Sequence, residues 1–410
     1  MGNFRNILTT LLLCLSPALH AQVINGTWHG LLDTGMGKLN IVFNVDPNNC
    51  TLDSPDQGAR GIKATLNHAS ADSLSISVPM LGASYCGKRK GNRLEGTFRQ
   101  NGHALPLALE EGQLKRNRPQ TPRPPLPYTT EETRFINPED SAVLAGTLTY
   151  PTNFDAMRPC PVVLMVTGSG LQNRDEEMMD HRPFAVLADY LARHGIATLR
   201  YDDRSTGQST GDASMAATPV FMQDAAAGLQ FLRSKGCFGP IGVLGHSEGG
   251  TIALMLAARK QADFIITLGA PGLRGDSILL LQQLSLLPPN AQQPAPDIQQ
   301  VRLSAKAQGN AWLNHFVDYD PAADISEVEC PALLLAGSKD MQVHAAPNLA
   351  AIRRNMPKDT PLTIKEYDGL NHLMQHCTTG RPDEYANIEE TMAEEVMADI
   401  AEWLNKMPLK

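Results

Sequence analysis

Between Val143 and Tyr367 the chain repeats one grammar: a short, continuously apolar run, a stretch with helical spacing, then another apolar run. Val143 to Tyr150, Pro161 to Val166, Ile196 to Tyr201, Ile241 to Leu244, Phe264 to Leu268, Ala332 to Ala336 and Leu362 to Tyr367 are the strand candidates. A run that is apolar at every position must be covered on both faces, the condition of a central parallel strand. Phe184 to His194, Pro219 to Lys235, Thr251 to Lys260 and Ile388 to Leu404 read as helices that supply this cover, with Gly195 able to cap the first. The pattern predicts a doubly wound, mostly parallel α/β sheet.

Ahead of that grammar the period is two. Leu39, Ile41, Phe43 and Val45 alternate with more polar neighbours, as do Leu74, Ile76 and Val78, then Leu105, Leu107 and Leu109. This predicts an antiparallel β module over residues 22–115 with one buried face. Gly26-Thr27-Trp28 resembles the opening of small lipocalin-like barrels, and an accessory module without a ligand is the reading adopted. Five prolines between Arg118 and Pro127 make a stiff linker at 116–127, and the α/β domain is expected over 128–410. Two domains suit 410 residues, more than one core usually holds.

The first 21 residues read as a secretory signal. Arg5 supplies positive charge, Ile7 to Leu15 is apolar, Ser16-Pro17 breaks the run, and Ala18 to Ala21 offers a cleavage site before Gln22. The apolar run is shorter than the roughly 20 residues that a spanning helix needs. A periplasmic or secreted product with no membrane span is expected. Of the seven cysteines, Cys14 leaves with the signal. Cys50 and Cys86 could pair in an oxidising compartment, while Cys160, Cys237 and Cys330 read as buried free thiols. No short paired C-x-x-C spacing suggests zinc, and no other metal site is expected. A formal net charge of −8 without a long basic run argues against a nucleic-acid partner.

One stretch interrupts the alternation. From Pro271 to about Ile325 no strand pattern occurs. Ser277 to Leu287 is a leucine-rich helical run, Pro288-Pro289 and a Pro/Gln loop follow, and Asp297 can cap a second helix that includes Trp312 and Phe316. Such a helical lid would lie over the carboxyl edge of the sheet, where these folds bind ligands. Leu280 and Leu284 are expected to roof an acyl pocket.

Gly245-His246-Ser247-Glu248-Gly249 fits G-x-S-x-G, a strand–turn–helix in which the flanking residues must be small for the two elements to approach. Gly207-Gln208-Ser209-Thr210-Gly211 also fits, but no strand runs directly into it and no helix leaves it. Ser247 is therefore the candidate nucleophile and Ser209 a loop residue, with a simple helix N-cap as the bland alternative for Ser247. A serine hydroxyl needs a base. In this fold the order is Ser, then Asp or Glu, then His. Asp340 follows the strand Ala332–Ala336, and His372 follows the last strand. Asp368 and His376 are the competitors. Backbone N–H groups of Glu248 and of Ser169, or failing that Gly170, would stabilise an oxyanion. Arg174, Asp175, Asp202, Asp203 and Arg204 read as an ion-pair network bracing loops.

These residues also carry a resemblance. Thr167-Gly168-Ser169-Gly170 with Gln172-Asn173-Arg174-Asp175, Arg200-Tyr201-Asp202-Asp203-Arg204, Gly245 to Gly250, Gly337-Ser338-Lys339-Asp340 and Asn371-His372 resemble a group of bacterial secreted esterases. The group belongs to the α/β-hydrolase superfamily, near its dienelactone-hydrolase and serine-aminopeptidase-like branches. The resemblance implies hydrolysis of a small carboxylic ester without a cofactor, an N-terminal β domain, and Ser247, Asp340 and His372 as the triad. Ser205 departs from it, standing where the group has glycine, and the helical insertion is shorter than the group's. Two other readings stay open: a peptidase or amidase with the same triad, and a non-catalytic binding protein on this fold.

Overall fold

The computed structural model describes residues 23–35, 38–57, 59–287 and 296–408. The signal segment and the Pro288-Pro289 turn lie outside these residues. The chain divides into two compact units, Met1–Lys115 and Arg116–Lys410.

The first unit is a single antiparallel sheet. Its strand order begins with Ala59–Lys63, Thr51–Ser54, Lys38–Val45 and Gly26–Asp33. It continues through His103–Glu111, Arg93–Gln100, Ala83–Lys90, Ser73–Val78 and Thr65–Ala69. The two edge strands are joined by Ala64 alone, so the sheet curls until its edges meet at one corner. Alternation places Trp28, Phe43, Leu74, Ile76, Leu94, Leu107 and Leu109 in one apolar core, as the period of two requires. Cys50 is buried in that core, whereas Cys86 is exposed, and both are free thiols. Their side chains therefore do not pair.

The second unit carries an eight-stranded sheet. Its strands are β1 (Thr129–Ile136), β2 (Val143–Tyr150), β3 (Cys160–Val166), β4 (Ala197–Tyr201), β5 (Phe238–His246), β6 (Ile265–Leu268), β7 (Ala332–Gly337) and β8 (Leu362–Tyr367). The order is β1-β2-β4-β3-β5-β6-β7-β8. From β4 to β8 every neighbour is parallel, and β1 and β2 run antiparallel at one edge. Helices α1 (Pro183–Arg193), α2 (Thr218–Lys235) and α3 (Glu248–Ala258) cover the sheet, and cores form on both of its faces. The strand β1 escapes the apolar-run criterion because its sequence, TTEETRFI, is largely polar, as an edge strand permits.

The insertion holds α4 (Gly275–Leu286), α5 (Ile298–Lys306), α6 (Ala311–Asp318) and α7 (Ala322–Ile325). Asp297 caps α5 through a capping box with Gln300. That helix does not reach Trp312, as its sequence suggested. Gly309 adopts φ +65° and ends it, and Asn310 caps α6 separately. Two further helices follow, α8 (Ala345–Asn355) and α9 (Glu394–Asn405). The closing helix was expected from Ile388 but starts at Glu394. Residues before it are tied elsewhere: the Thr391 and Met392 amides donate to Gln120 Oε1, and the Ala393 amide donates to the Met374 carbonyl.

That Gln120 contact changes the picture of the proline-rich segment. Residues from Arg116 onward group with the second unit. Arg118 is buried and donates to the carbonyls of Ile388 (2.7 Å), Met179 (2.8 Å) and Ala386 (2.9 Å). Gln120 Nε2 donates to the Met392 carbonyl at 2.7 Å. The segment is docked along its own unit rather than free. Cys160, Cys237 and Cys330 are free thiols and partly buried, and burial pushes Cys160 and Cys330 up to about 11. No helix among the described residues is long and apolar enough to cross a membrane.

Candidate active site

Ser247 sits between the end of β5 and the start of α3 at φ +53°, ψ −115°, a conformation that side-chain-bearing residues rarely adopt. The neighbouring glycines explain why it persists. A Cβ at Gly245 would lie 1.9 Å from the Gly249 carbonyl oxygen, and one at Gly249 would lie 2.1 Å from the Val166 carbonyl oxygen. The turn can close only with glycine at both positions. The Ser247 N–H donates to the Leu268 carbonyl at 2.8 Å, tying the turn to the next strand.

Asp340 and His372 are brought together on the neighbouring strand ends. His372 Nδ1 lies 2.7 Å from Asp340 Oδ2, and both residues are 3% exposed. Asp340 Oδ1 accepts the N–H groups of Gln342 (2.8 Å) and Val343 (2.7 Å). A carboxylate so held only accepts, so His372 carries its proton on Nδ1 and leaves Nε2 with a lone pair. Gly269, at the end of β6, backs the pair. A Cβ there would come within 3.0 Å of His372 Nδ1 and 3.1 Å of Asp340 Oδ2. The His372 loop is pinned by Asn371, whose Oδ1 accepts the Leu373 and Gln375 amides.

The loop after β3 runs against the serine. A Cβ at Gly168 would lie 3.3 Å from Ser247 Cβ. The Gly168 N–H is spent on Glu176 Oε1 at 2.7 Å. Ser169, next along, is exposed, and its N–H meets no acceptor among the described residues. Glu248 opens α3, where an N–H has no intrahelical acceptor. Buried acids hold this loop in place. Asp203 accepts from the Thr167 hydroxyl (3.1 Å) and the Gln172 amide (2.8 Å). Desolvation pushes its pKa up to about 8, with Glu248 and Glu176 adding repulsion. Asp203 makes none of the ion pairs among the described residues and braces the loop through these hydrogen bonds instead of joining the expected ion-pair network. The other residues do pair: Arg174 with Asp202 (2.9 Å), Arg200 with Asp175, and Arg204 with Asp224 (2.7 Å) and Asp140 (2.8 Å).

A cavity of about 450 Å³ opens beside this loop, lined by Ser169, Gly170, Leu171, Ala213, Ser214, Ala216, Phe221, Asn310 and Trp312. The lid helix that reaches it is α6. None of these lining residues comes from α4, and Leu284 on α4 is 39% exposed. Leu280 and Leu284, expected to roof an acyl pocket, do not line this cavity; α4 instead bonds the segment after Asp340, with Gln282 Nε2 donating to the Gln342 carbonyl at 2.8 Å and Ser285 Oγ 2.6 Å from His344 Nε2. Trp312 is fixed by its indole N–H, which donates to Glu248 Oε1 at 2.7 Å, and it stacks on Phe316 at 5.2 Å. The Thr218 hydroxyl donates to the same Glu248 oxygen at 2.7 Å. Burial raises the pKa of the Glu248 carboxyl.

The competing residues lie apart from this arrangement. Ser209 Oγ donates to the Asp202 carbonyl and accepts the Ala145 amide. His376 is exposed between Glu390 and Glu395, and Asp368 Oδ1 accepts the Ser338 hydroxyl. Ser205 has φ +62°, which explains a preference for glycine at that position. Sequence reasoning missed Glu176 and His246 as site residues. His246 Nδ1 is 2.8 Å from Glu176 Oε1. The histidine inside the serine motif was the available signal.

A family model described as "Serine aminopeptidase, S33" (Hydrolase_4) matches residues 179–321, a span that holds Ser247 but ends before Asp340 and His372. The chain is 25% identical over 276 residues to esterase EstD of Thermotoga maritima, covering 64% of this chain and 66% of that one. It is 31% identical over 120 residues to an acyl transferase of Photobacterium leiognathi, covering 29% of this chain and 36% of that one. The chain thus spans just under two thirds of the first relative and about a third of the second. Among solved structures it is similar to the Pyrococcus furiosus esterase Pf2001, with 16% identity and a TM-score of 0.49, over 72% of this chain and 99% of that one. The sheet order and the serine turn are those of an α/β-hydrolase fold with an added antiparallel β unit, and the likenesses in sequence to a serine-hydrolase family and to an esterase support an α/β-hydrolase esterase family for this chain.

Proposed function

We propose that this chain is a serine hydrolase that cleaves small, short-acyl carboxylic esters through an acyl-enzyme on Ser247. The observation that carries this reading is the buried His372–Asp340 pair, whose His372 carbonyl is 3.0 Å from Nε2 of His246, the residue before a serine held at positive φ. His372 Nε2 takes the hydroxyl proton as Ser247 Oγ attacks the ester carbonyl carbon. Asp340 keeps the imidazole in the required tautomer and stabilises the cation that forms. The N–H groups of Ser169 and Glu248 receive the developing oxyanion. As the intermediate collapses, His372 returns the proton to the leaving alcohol oxygen. Water then repeats the sequence and releases the acid.

The cavity beside Ser169, at about 450 Å³, falls within the range of small-molecule sites and has room for a compact ester. The alternative of a peptidase or amidase draws on the description of the matching family. A panel of chromogenic esters of increasing acyl length, run beside aminoacyl amides, tests both. Turnover of short esters that disappears in Ser247→Ala is expected. Turnover of amides alone would overturn the ester assignment, and no turnover of either would favour a binding protein. Export belongs to the same proposal: the mature protein should begin at Gln22, which N-terminal sequencing of periplasmic and culture fractions checks.

A further inference from the structure

We propose that Glu176 and His246 form a buried carboxylate–imidazolium strut that positions the oxyanion loop and the base loop relative to the nucleophile. Neither residue touches the reacting atoms, so both are positioning residues, and the proposal rests on the serine-hydrolase reading above.

The geometry comes first. His246 ends β5, immediately before Ser247, and is 5% exposed. Its Nε2 lies 3.0 Å from the backbone carbonyl oxygen of His372. A carbonyl oxygen only accepts, so Nε2 carries a proton. Its Nδ1 lies 2.8 Å from Glu176 Oε1, and that oxygen also accepts the Gly168 N–H at 2.7 Å. A carboxylate only accepts, so a carboxylate at Glu176 facing both the Gly168 N–H and Nδ1 requires that Nδ1 carry a proton too. The imidazolium then donates in both directions. One small ion pair thereby links three parts of the site: the strand end that carries Ser247, the loop that carries the Ser169 N–H, and the loop that carries His372.

The surroundings fit a fixed charge pair. Glu176 is 1% exposed, and a lone carboxylate at that depth would be costly. It stands at φ +53°, an uncommon conformation for a glutamate, in a loop bent so that its side chain reaches inward. The titratable groups facing the His246 ring are Glu176, Asp340 and His372, whose ring centroid is 4.7 Å away. Burial draws the His246 pKa down, but the charge and hydrogen bond of Glu176, the His372 carbonyl and Asp340 outweigh it, and the net shift is upward. The pair is neutral overall, so it fixes geometry without adding net charge beside the nucleophile.

The direct test combines kinetics with spectroscopy on the full chain. Glu176→Gln keeps the shape and removes the charge. Its kcat on a short-acyl ester should fall about 100-fold with KM nearly unchanged, since a small misplacement of catalytic groups costs that much. His246→Gln should fall similarly, and the double variant should be no worse than either single one, because both changes break one interaction. Histidine ¹⁵N spectra of the wild-type enzyme should show His246 with both ring nitrogens protonated, and this arm does not depend on any variant folding. Wild-type kcat in a folded Glu176→Gln enzyme, or a neutral His246 ring throughout the active pH range, would overturn the strut. A wild-type enzyme with no Ser247-dependent turnover would overturn the serine-hydrolase reading, and the strut with it.

Discussion

The two units of the chain keep their charge in different places. In the β unit the ion pairs Arg93–Glu110, Lys90–Glu95 and Arg89–Glu111 lie on partly or well exposed side chains. Its core is mostly apolar, and the buried polar atoms of Tyr85, Trp28 and Ser54 are met by the Leu94 carbonyl (3.1 Å), the Asn25 carbonyl (2.9 Å) and Gln57 Oε1 (2.8 Å). In the hydrolase unit the Arg204–Asp224 side chains are 2% and 1% exposed, and Glu176 and Asp340 are buried. Backbone strain follows the same division. Asn101, the β unit's described non-glycine residue at positive φ, sits with Gly102 at a hairpin tip, where such a turn is favoured. Glu176, Ser205, Ser247 and Met374 hold positive φ in the loops of the hydrolase sheet. Burying charge and straining backbone both cost stability, so their concentration in one set of loops marks where the fold is organised for chemistry rather than for closure.

The comparison breaks first at the triad. His372→Ala and Asp340→Asn should each lower kcat on a short-acyl ester by about 10³–10⁴-fold, as in other triads. His376→Ala should leave kcat within a few-fold, because His376 is exposed and paired with glutamates. The reverse result from steady-state assays would move the base.

Arg118 comes next. Arg118→Ala removes donors from the Ile388, Ala386 and Met179 carbonyls, and an orphaned buried acceptor costs about 1–3 kcal/mol. A loss of about 3 kcal/mol in denaturant unfolding is expected. By the same reasoning a chain beginning at Arg116 should keep its stability, whereas one beginning at Tyr128 should lose it. Equal melting temperatures for the two truncations would return the proline-rich segment to the status of a stiff linker.

Asp203 offers a pH test. Its folded pKa of about 8 lies above its ordinary value of 3.8. Between those values the folded state binds more protons than the unfolded state. Stability from this group is therefore fully present below about pH 4, declines as pH rises, and is lost above about pH 8. Asp203→Asn, which stays neutral, should flatten the fall in stability across that window. An unchanged slope in urea titrations at several pH values would contradict the assignment. The smallest effect belongs to the β unit: Arg93→Ala should change stability by at most about 1 kcal/mol, since its partner Glu110 is exposed.

The sequence carried the sheet and the strand–turn–helix at Ser247 well for one reason. Central parallel strands and G-x-S-x-G turns are local patterns, so β3, β5 and β7 and the position of Ser247 could be read within a few residues of each element. What escaped was set by tertiary partners. The polar strand β1 is stabilised by pairing with β2 along its whole length. The start of α9 is delayed because Gln120, far away in sequence, takes two of the amides before it. Glu176 and His246 read as ordinary motif neighbours until the fold brings them to 2.8 Å. The raised pKa of Asp203 likewise comes from burial, which the mixed charges around it in sequence conceal.

The central claim is that Ser247 alone combines a strained strand–helix turn with a base and an oxyanion site. Covalent labelling with a fluorophosphonate, followed by peptide mapping, tests it most directly, because the reagent reports the activated hydroxyl without any assumption about the substrate. The label should map to Ser247 in the wild-type protein and be lost in His372→Ala. Mapping to Ser209, or equal labelling with and without His372, would contradict the account.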